Sequence, residues 1–152
     1  MEDSDSKTSE FNKQAIEIAT DYIKKHFSDS VSTSLNGEVI WISDKEKMYE
    51  IDPNKIYNGL IDADSTNDAL VTLNSFVGQE PGYPEHLILL NTNGKLALDK
   101  SFVLDMKVLS LKDRLITGEI HTKPRSSPLY NCSHCLAIVK YKFENGDTVK
   151  IN

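Results

Sequence analysis

Arginine is scarce in this chain, and positive charge is outnumbered by negative charge. Arg114 and Arg125 are the only arginines of the 152 residues, and 17 lysines and arginines stand against 23 aspartates and glutamates, so the formal net charge is -6. An acidic surface repels phosphate backbones, and we therefore expect no nucleic-acid partner. The same charge favours a basic protein partner, because opposite charges accelerate association.

Long apolar runs are also missing. No stretch of the sequence reaches the roughly 20 apolar residues that a membrane-spanning helix needs. The N-terminus, "MEDSDSKTSE", has neither the basic nor the apolar region of a signal peptide. It is similar to the polar tether that follows the lipidated cysteine of a bacterial lipoprotein. We therefore predict a flexible tether over residues 1–9, with a location in the cell envelope or periplasm if a leader was removed and in the cytoplasm otherwise.

Motifs of known enzyme classes are absent as well. The sequence contains no G-x-S-x-G, no H-E-x-x-H, no G-x-G-x-x-G and no glycine-rich loop that could cradle a phosphate. The length of the chain is that of one ordinary domain, which is large enough to bury a core. We expect a protein without enzymatic activity whose single domain covers residues 10–152.

One amphipathic helix is predicted near the N-terminus. In "EFNKQAIEIATDYIKKHF", residues 10–27, apolar residues recur at the spacing of one helical face. Thr8 or Ser9 is the expected N-cap, and lysines fill the last turn, where the helix dipole favours positive charge. A stripe of this kind indicates packing against a sheet.

The rest of the chain shows the period of β-strands, interrupted by three Asn-Gly pairs. This dipeptide favours the two-residue turn of a β-hairpin, because both residues tolerate a positive φ. We therefore predict an α+β domain in which the helix packs on a twisted antiparallel sheet of hairpins. The segments beginning at Ala69 and at His86 are apolar on both faces, so we expect them to be central strands. The three pairs are Asn36-Gly37, Asn93-Gly94 and Asn145-Gly146.

The stretch "LIDADSTNDALV", Leu60 to Val71, brings three aspartates close together. Asp62, Asp64 and Asp68 are hard oxygen donors, and calcium binds roughly 6–8 oxygens. No glycine separates Asp62 from Asp68 and no glutamate follows at the twelfth place, so the stretch is not an EF-hand loop. Two interpretations remain open: a polar turn between strands, and a calcium loop.

The same stretch resembles the aspartate loop of FG-GAP/VCBS-like bacterial domains, whose pattern is D-x-D-G-D-G-x-x-D-A before a buried strand. The three aspartates match its third, fifth and ninth places, whereas Leu60, Ala63 and Ser65 replace the first aspartate and the two glycines. The resemblance covers the chain from about Ile56 onward. It implies a small exported or envelope-associated bacterial domain without assigned enzymatic activity. Because the replaced positions are those of one ligand and two flexible glycines, we predict no cofactor, with calcium in this loop as the alternative.

Cys132 and Cys135 form a lone C-x-x-C. In redox proteins this motif opens a helix, whereas the residues after Cys135 alternate like a strand. A zinc site needs four ligands, and His86, His121 and His134 are the histidines that could join the two cysteines. We expect a local disulfide in an exported protein and two free thiols in a cytosolic one.

Two proline-containing loops, residues 77–86 and residues 123–135, each carry a tyrosine that a turn does not require. Aromatic residues on loops of a rigid sheet are common in recognition sites, although these tyrosines could also fold back over the sheet edge. We predict a protein-binding domain, for instance an immunity protein that neutralises a bacterial toxin. The alternative is an envelope lipoprotein domain with a degenerate calcium loop. The candidate partner-binding residues are Glu80, Tyr83, Glu85 and Tyr130.

Overall fold

A computed structural model describes residues 2–27, 32–36, 39–62, 66–144 and 146–151. Within these ranges the chain forms one helix, α1 (Glu2–Lys24), and eleven strands. All strand pairs are antiparallel. The strands are β1 (Ser32–Asn36), β2 (Val39–Ser43), β3 (Lys47–Gly59), β4 (Asp68–Val77), β5 (Glu80–Pro81), β6 (Glu85–Thr92), β7 (Lys95–Val103), β8 (Met106–Lys112), β9 (Leu115–His121), β10 (Leu136–Glu144) and β11 (Asp147–Ile151).

The strands form two sheets, and the predicted α+β class with a single sheet is wrong. The larger sheet has the order β1-β2-β3-β4-β6-β7, with β5 paired to β4, and the smaller sheet has the order β11-β10-β9-β8. The fold is mostly β, with one helix in the described ranges. The physical reason lies in β4 and β6, whose two apolar faces both need cover. One helix covers one face, and the second sheet covers the other.

The helix covers one face of the larger sheet, as its apolar stripe predicts. Ala15, Ala19 and Ile23 are completely buried and belong to the same cluster as Val71 of β4 and Leu89 of β6. Small residues at the two alanine positions let the helix backbone lie close to the strands. Burial of apolar surface, at about 25 cal/mol per Å², is the main force that holds this layer in place.

The smaller sheet covers the opposite face of the same strands. Leu70 of β4 and Ile88 of β6 point away from the helix and form a second cluster with Met106, Ile116 and Val139. The central position of β4 and β6 is therefore confirmed, and both faces of each are buried. Residues 104 and 105 connect β7 of the larger sheet to β8 of the smaller sheet.

A glycine on β9 is required by this packing. A Cβ atom at Gly118 would lie 2.2 Å from the sulfur of Met106, which is itself 2% exposed. No side chain fits at that distance without displacing Met106 from the second cluster. The absence of a side chain at Gly118 therefore leaves the space that the Met106 side chain occupies.

The predicted hairpins are confirmed, and the predicted helix start is wrong. β1 pairs with β2, β6 with β7, and β10 with β11. Asn93 and Gly94 have φ angles of 56° and 87°, as a type I′ turn requires. Residues 37, 38 and 145 of the other two turns lie outside the described ranges. The helix already begins at Glu2, so Thr8 and Ser9 lie inside it rather than at its N-cap.

A further hairpin, between β8 and β9, has no Asn-Gly pair. Its turn residues, Asp113 and Arg114, have φ angles of 54° and 62°. Aspartate visits this region readily, whereas arginine does so at a cost, and for that reason the sequence carried no recognisable turn signal.

In the part of the chain that the structure describes, no helix combines the length and the apolar character needed to cross a membrane.

Candidate functional site

Arg125 joins the two proline-containing loops to the connection between β7 and β8. Its guanidinium donates to the carbonyl oxygens of Pro81 and Gly82, at 2.9 and 3.1 Å, in loop 77–86. From its own loop it also reaches Asp105, to which Nε and Nη2 donate at 3.2 Å each. A planar guanidinium suits this bidentate contact, which fixes orientation as well as distance. The loops are therefore held together through one side chain.

A tyrosine from each loop contacts this cluster. The Tyr83 ring lies 4.1 Å from the guanidinium carbon of Arg125, and its side chain is 53% exposed. The Tyr130 hydroxyl donates to Asp105 at 2.5 Å. The Tyr130 ring stacks on His121 with centroids 3.7 Å apart, and His121 Nδ1 donates to the Tyr130 carbonyl at 2.7 Å. Tyr130 is thus fixed in place, while Tyr83 faces solvent.

We call the surface formed by Tyr83, Arg125, Leu129 and Tyr130, with Asp105 beneath it, the two-loop surface. Burial by itself would raise the pKa of Asp105, but hydrogen bonds from Arg125 and Tyr130 outweigh it and lower that pKa. The hydrogen bond to Asp105 raises the pKa of Arg125. Burial, and next the hydrogen bond to Asp105, raise the pKa of Tyr130. At neutral pH the carboxylate and the guanidinium are therefore both charged and neutralise each other.

Two adjoining hollows flank this cluster, and Asp105 and His121 line both of them. One is a cleft of about 230 Å³ between β3 and β4 of the larger sheet and β8 and β9 of the smaller. The other, of about 270 Å³, lies beneath Tyr83, Arg125 and Tyr130. The two-loop surface is therefore concave beside its exposed aromatic residue, a shape that suits a protruding side chain of a partner.

The predicted partner-binding residues are divided by the structure into exposed and inward-facing groups. Glu80 and Tyr83 are exposed, and Tyr130 is half-buried. Glu85 is also half-buried and accepts a hydrogen bond from the hydroxyl of Tyr22 on α1. Reasoning from the sequence missed Arg125 and Asp105. The signal that could have indicated Arg125 is its rarity: it is one of two arginines, and it stands inside a proline-containing loop.

The aspartate stretch contains a buried carboxylate that binds backbone amides. Asp68 is 0% exposed, and its Oδ2 accepts from the amides of Ile61 at 2.9 Å and Asp62 at 3.4 Å. Its Oδ1 accepts from the amide of Asn91 on β6 at 2.9 Å. The carboxylate thereby ties the turn before β4 to the neighbouring strand. One side chain thus accepts hydrogen bonds from three backbone amides.

The calcium loop stays a prediction. Asp64 lies outside the described residues, and Arg114 Nε donates to the carbonyl oxygen of Asp62 at 2.9 Å, so a positive charge already lies beside the stretch. Among the described residues, no group of three or more histidine, cysteine, aspartate or glutamate side chains could hold a metal ion. The observed role of Asp68 is structural.

Cys132 and Cys135 are free thiols in a turn that precedes β10. The amide of Cys135 donates to the carbonyl of Cys132 at 2.9 Å. A hydrogen bond between the two side chains lowers the pKa of Cys132 and raises that of Cys135, so Cys135 keeps the proton and donates it. The segment after the pair is a strand, as the alternation predicts. A disulfide between the two remains a prediction, tested by the mass change on alkylation before and after reduction.

His86 is completely buried behind the wall of the cleft. Its Nε2 lies 3.0 Å from the carbonyl oxygen of Leu104, and its Nδ1 lies 2.9 Å from the hydroxyl of Thr72. Because a carbonyl only accepts, Nε2 carries the proton and Nδ1 accepts from Thr72 in the neutral ring. Burial lowers the pKa of His86, against the opposing effects of the Leu104 hydrogen bond and the Glu85 charge.

We expect stability to fall as the pH drops below 6.5, the ordinary pKa of the His86 side chain. Below that pH the unfolded chain binds a proton that the folded chain does not, so the free energy of unfolding decreases by up to about 1.4 kcal/mol per pH unit. Urea denaturation between about pH 7.5 and pH 5 measures the slope. His86→Gln should flatten it, whereas His134→Gln, at an exposed position, should not. An unchanged slope in His86→Gln would contradict this assignment.

Comparison of the chain with protein-family models, with curated proteins and with solved structures gives no match. The resemblance of the aspartate stretch to FG-GAP/VCBS-like domains therefore stays a prediction.

Proposed function

We propose that this chain is a non-enzymatic protein-binding domain and that it acts as an immunity protein, which binds a bacterial toxin and neutralises it. The observation that carries the proposal is the set of bonds from Arg125 to Pro81, Gly82 and Asp105, which unites two loops into one surface. Tyrosine and arginine are the residue types most enriched among residues that dominate binding energy.

The two-loop surface is organised before any partner arrives. Binding is weakened by the entropy of ordering loops and side chains, about 0.5–1.5 kcal/mol for each immobilised side chain. Here the hydrogen bonds of Arg125 and Tyr130 already hold the loops. Tyr83 and Leu129, 53% and 52% exposed, are left to contact a partner. A fixed surface with two exposed apolar side chains supports recognition by docking.

The charges in the cluster support binding rather than turnover. The lowered pKa of Asp105 keeps it ionised at neutral pH, so it is a poor proton donor. Both of its carboxylate oxygens accept from Arg125, and one also accepts from Tyr130. The buried His86 ring is bonded at both nitrogens. Asp105, Arg125 and Tyr130 thus stabilise one another, and His86 is held by Thr72 and Leu104, as expected of structural groups.

The net charge of -6 supports a basic partner. Electrostatic attraction of this kind raises the association rate and is weakened by salt. We therefore expect the association rate with the toxin to fall as the salt concentration rises, with a smaller change in the dissociation rate.

The proposal is tested with the product of the gene adjacent to that of this chain. We expect a stable complex in isothermal titration calorimetry and protection of cells that express the toxin. The double variant Tyr83→Ala with Leu129→Ala should weaken the complex at least about tenfold. Leu98→Ala, on an exposed position of β7, serves as the matched control and should bind like the wild type. Absence of a complex, or equal weakening by the control, would refute the proposed function.

A further inference from the structure

Within the described residues, part of strand β10 has a neighbouring strand on one side only. β11 pairs only with residues 140–144 of β10, while β9 pairs with residues 136–142 on the other side. Residues 136–139 therefore have a strand on one side and, among the described residues, none on the other. A strand in this position presents unpaired backbone groups, which can serve as a template for another chain.

The alternation of the ladder shows which backbone groups are free. The amide of Thr122 donates to the carbonyl of Cys135, so residue 135 bonds toward β9. In an antiparallel pair the bonded positions alternate, so Ala137 and Val139 also bond toward β9. Leu136 and Ile138 therefore direct their N–H and C=O groups to the open side. Their side chains are 39% and 57% exposed.

A groove of about 370 Å³ runs along this open side. The charged residues that line it are Lys140 and Lys150, and its other lining residues are apolar. Neither lysine forms an ion pair in the described part of the chain. The groove thus offers a backbone template, an apolar floor and two ammonium groups, on a chain whose net charge is negative.

We propose that this open side of β10 binds an extended acidic peptide segment of a partner protein, which adds to the smaller sheet as a further strand. Main-chain hydrogen bonds to Leu136 and Ile138 supply affinity, and alternate side chains of the peptide enter the groove. Because Lys150 is paired with Tyr141, Lys140 and Lys150 lie on opposite faces of the sheet. Carboxylates of the peptide therefore pair with Lys140 on one face or with Lys150 on the other. A second copy of this chain would bring a further Lys140 and Lys150 to the same open edge, so charge favours an acidic partner over self-association.

This site is separate from the two-loop surface, and its partner has the opposite charge preference. The probe is a short fluorescein-labelled peptide in which valine alternates with glutamate, and the comparison peptide has lysine in place of glutamate. Fluorescence anisotropy at low salt should show saturable binding of the glutamate peptide and binding at least about tenfold weaker for the lysine peptide. Tyr83→Ala, on the two-loop surface, should leave the binding of both peptides unchanged. This variant therefore separates the peptide site from the proposed function.

Two sets of variants locate the binding. Ile138→Pro removes an N–H that points to the open side, so the fold should persist while peptide binding is lost. Ile138→Thr keeps the N–H and should retain most of the binding. The double variant Lys140→Glu with Lys150→Glu should reverse the preference between the two peptides. This second test does not require Ile138→Pro to fold. Equal binding of both peptides, no saturable binding, or a wild-type dimer that Ile138→Pro abolishes would each overturn the proposal.

Discussion

Replacing Asp68 with alanine should lower the free energy of unfolding by about 3–5 kcal/mol. The carboxylate is fully buried and accepts from the amides of Ile61, Asp62 and Asn91. Alanine would remove the acceptor that these three amides share, and hydrogen bonds to a charged group contribute about 1.5–3 kcal/mol each. Urea denaturation at neutral pH measures the change.

Matched variants separate this structural role from a metal role. Asp68→Asn keeps one acceptor oxygen but places an amide N–H near a donor, so its loss should be intermediate. Asp64→Ala removes a different aspartate of the predicted calcium loop. If calcium binds there, millimolar calcium should raise the melting temperature of the wild type, and Asp64→Ala should abolish that rise. The destabilisation by Asp68→Ala should be the same with and without calcium. A decrease of less than about 1 kcal/mol in the free energy of unfolding of Asp68→Ala would contradict the role of Asp68 as acceptor for the three amides.

Replacing Arg125 with alanine should have the second large effect, on partner binding. We expect the dissociation constant of the toxin complex to rise about 30- to 1,000-fold, which corresponds to about 2–4 kcal/mol. The variant loses the bonds to Pro81, Gly82 and Asp105 together with the support beneath Tyr83. Binding then has to order both loops again. Calorimetric titration measures the affinity.

The controls for this prediction use the geometry of the guanidinium. Arg125→Lys keeps the charge but not the fork that reaches two carbonyls and a carboxylate, so it should recover only a small part of the affinity. Asp105→Asn should weaken binding less, because Arg125 keeps its contacts to the two carbonyls and the amide oxygen of asparagine can still accept from Tyr130. A double-mutant cycle of Arg125→Ala and Asp105→Asn should show coupling. If Arg125→Lys bound the partner with wild-type affinity, the positive charge alone would account for binding, and the joining of the two loops by Arg125 would not be required.

Local signals in the sequence predicted much of the secondary structure. The Asn-Gly pairs correctly indicated three hairpins, because positive φ is a local requirement of the turn. The doubly apolar segments at Ala69 and His86 correctly indicated the centre of a sheet. The division into two sheets was not predictable in this way. It depends on the short connection at Leu104 and Asp105, which moves the chain from one layer to the other and has no periodicity of its own.

The candidate site was only partly predictable for a similar reason. The tyrosine-bearing loops were visible as composition, but the bonds that join them link Arg125 to residues more than 40 positions earlier. Two of those acceptors are backbone carbonyls, which any residue type supplies. Asp68 shows the same limit: its spacing from Asp62 and Asp64 suggested metal donors, whereas its observed partners are amides of the folded backbone.

Hydrogen exchange on the complex with the adjacent gene's product tests the central claim most directly, since it reports which backbone amides become protected on binding. The two-loop surface is held as one unit by Arg125, so amides of both loops, residues 77–86 and residues 123–135, should become protected together. In Arg125→Ala, protection of both loops should decrease together. Protection confined to the helix face or to β1 and β2, with both loops unchanged, would contradict the account.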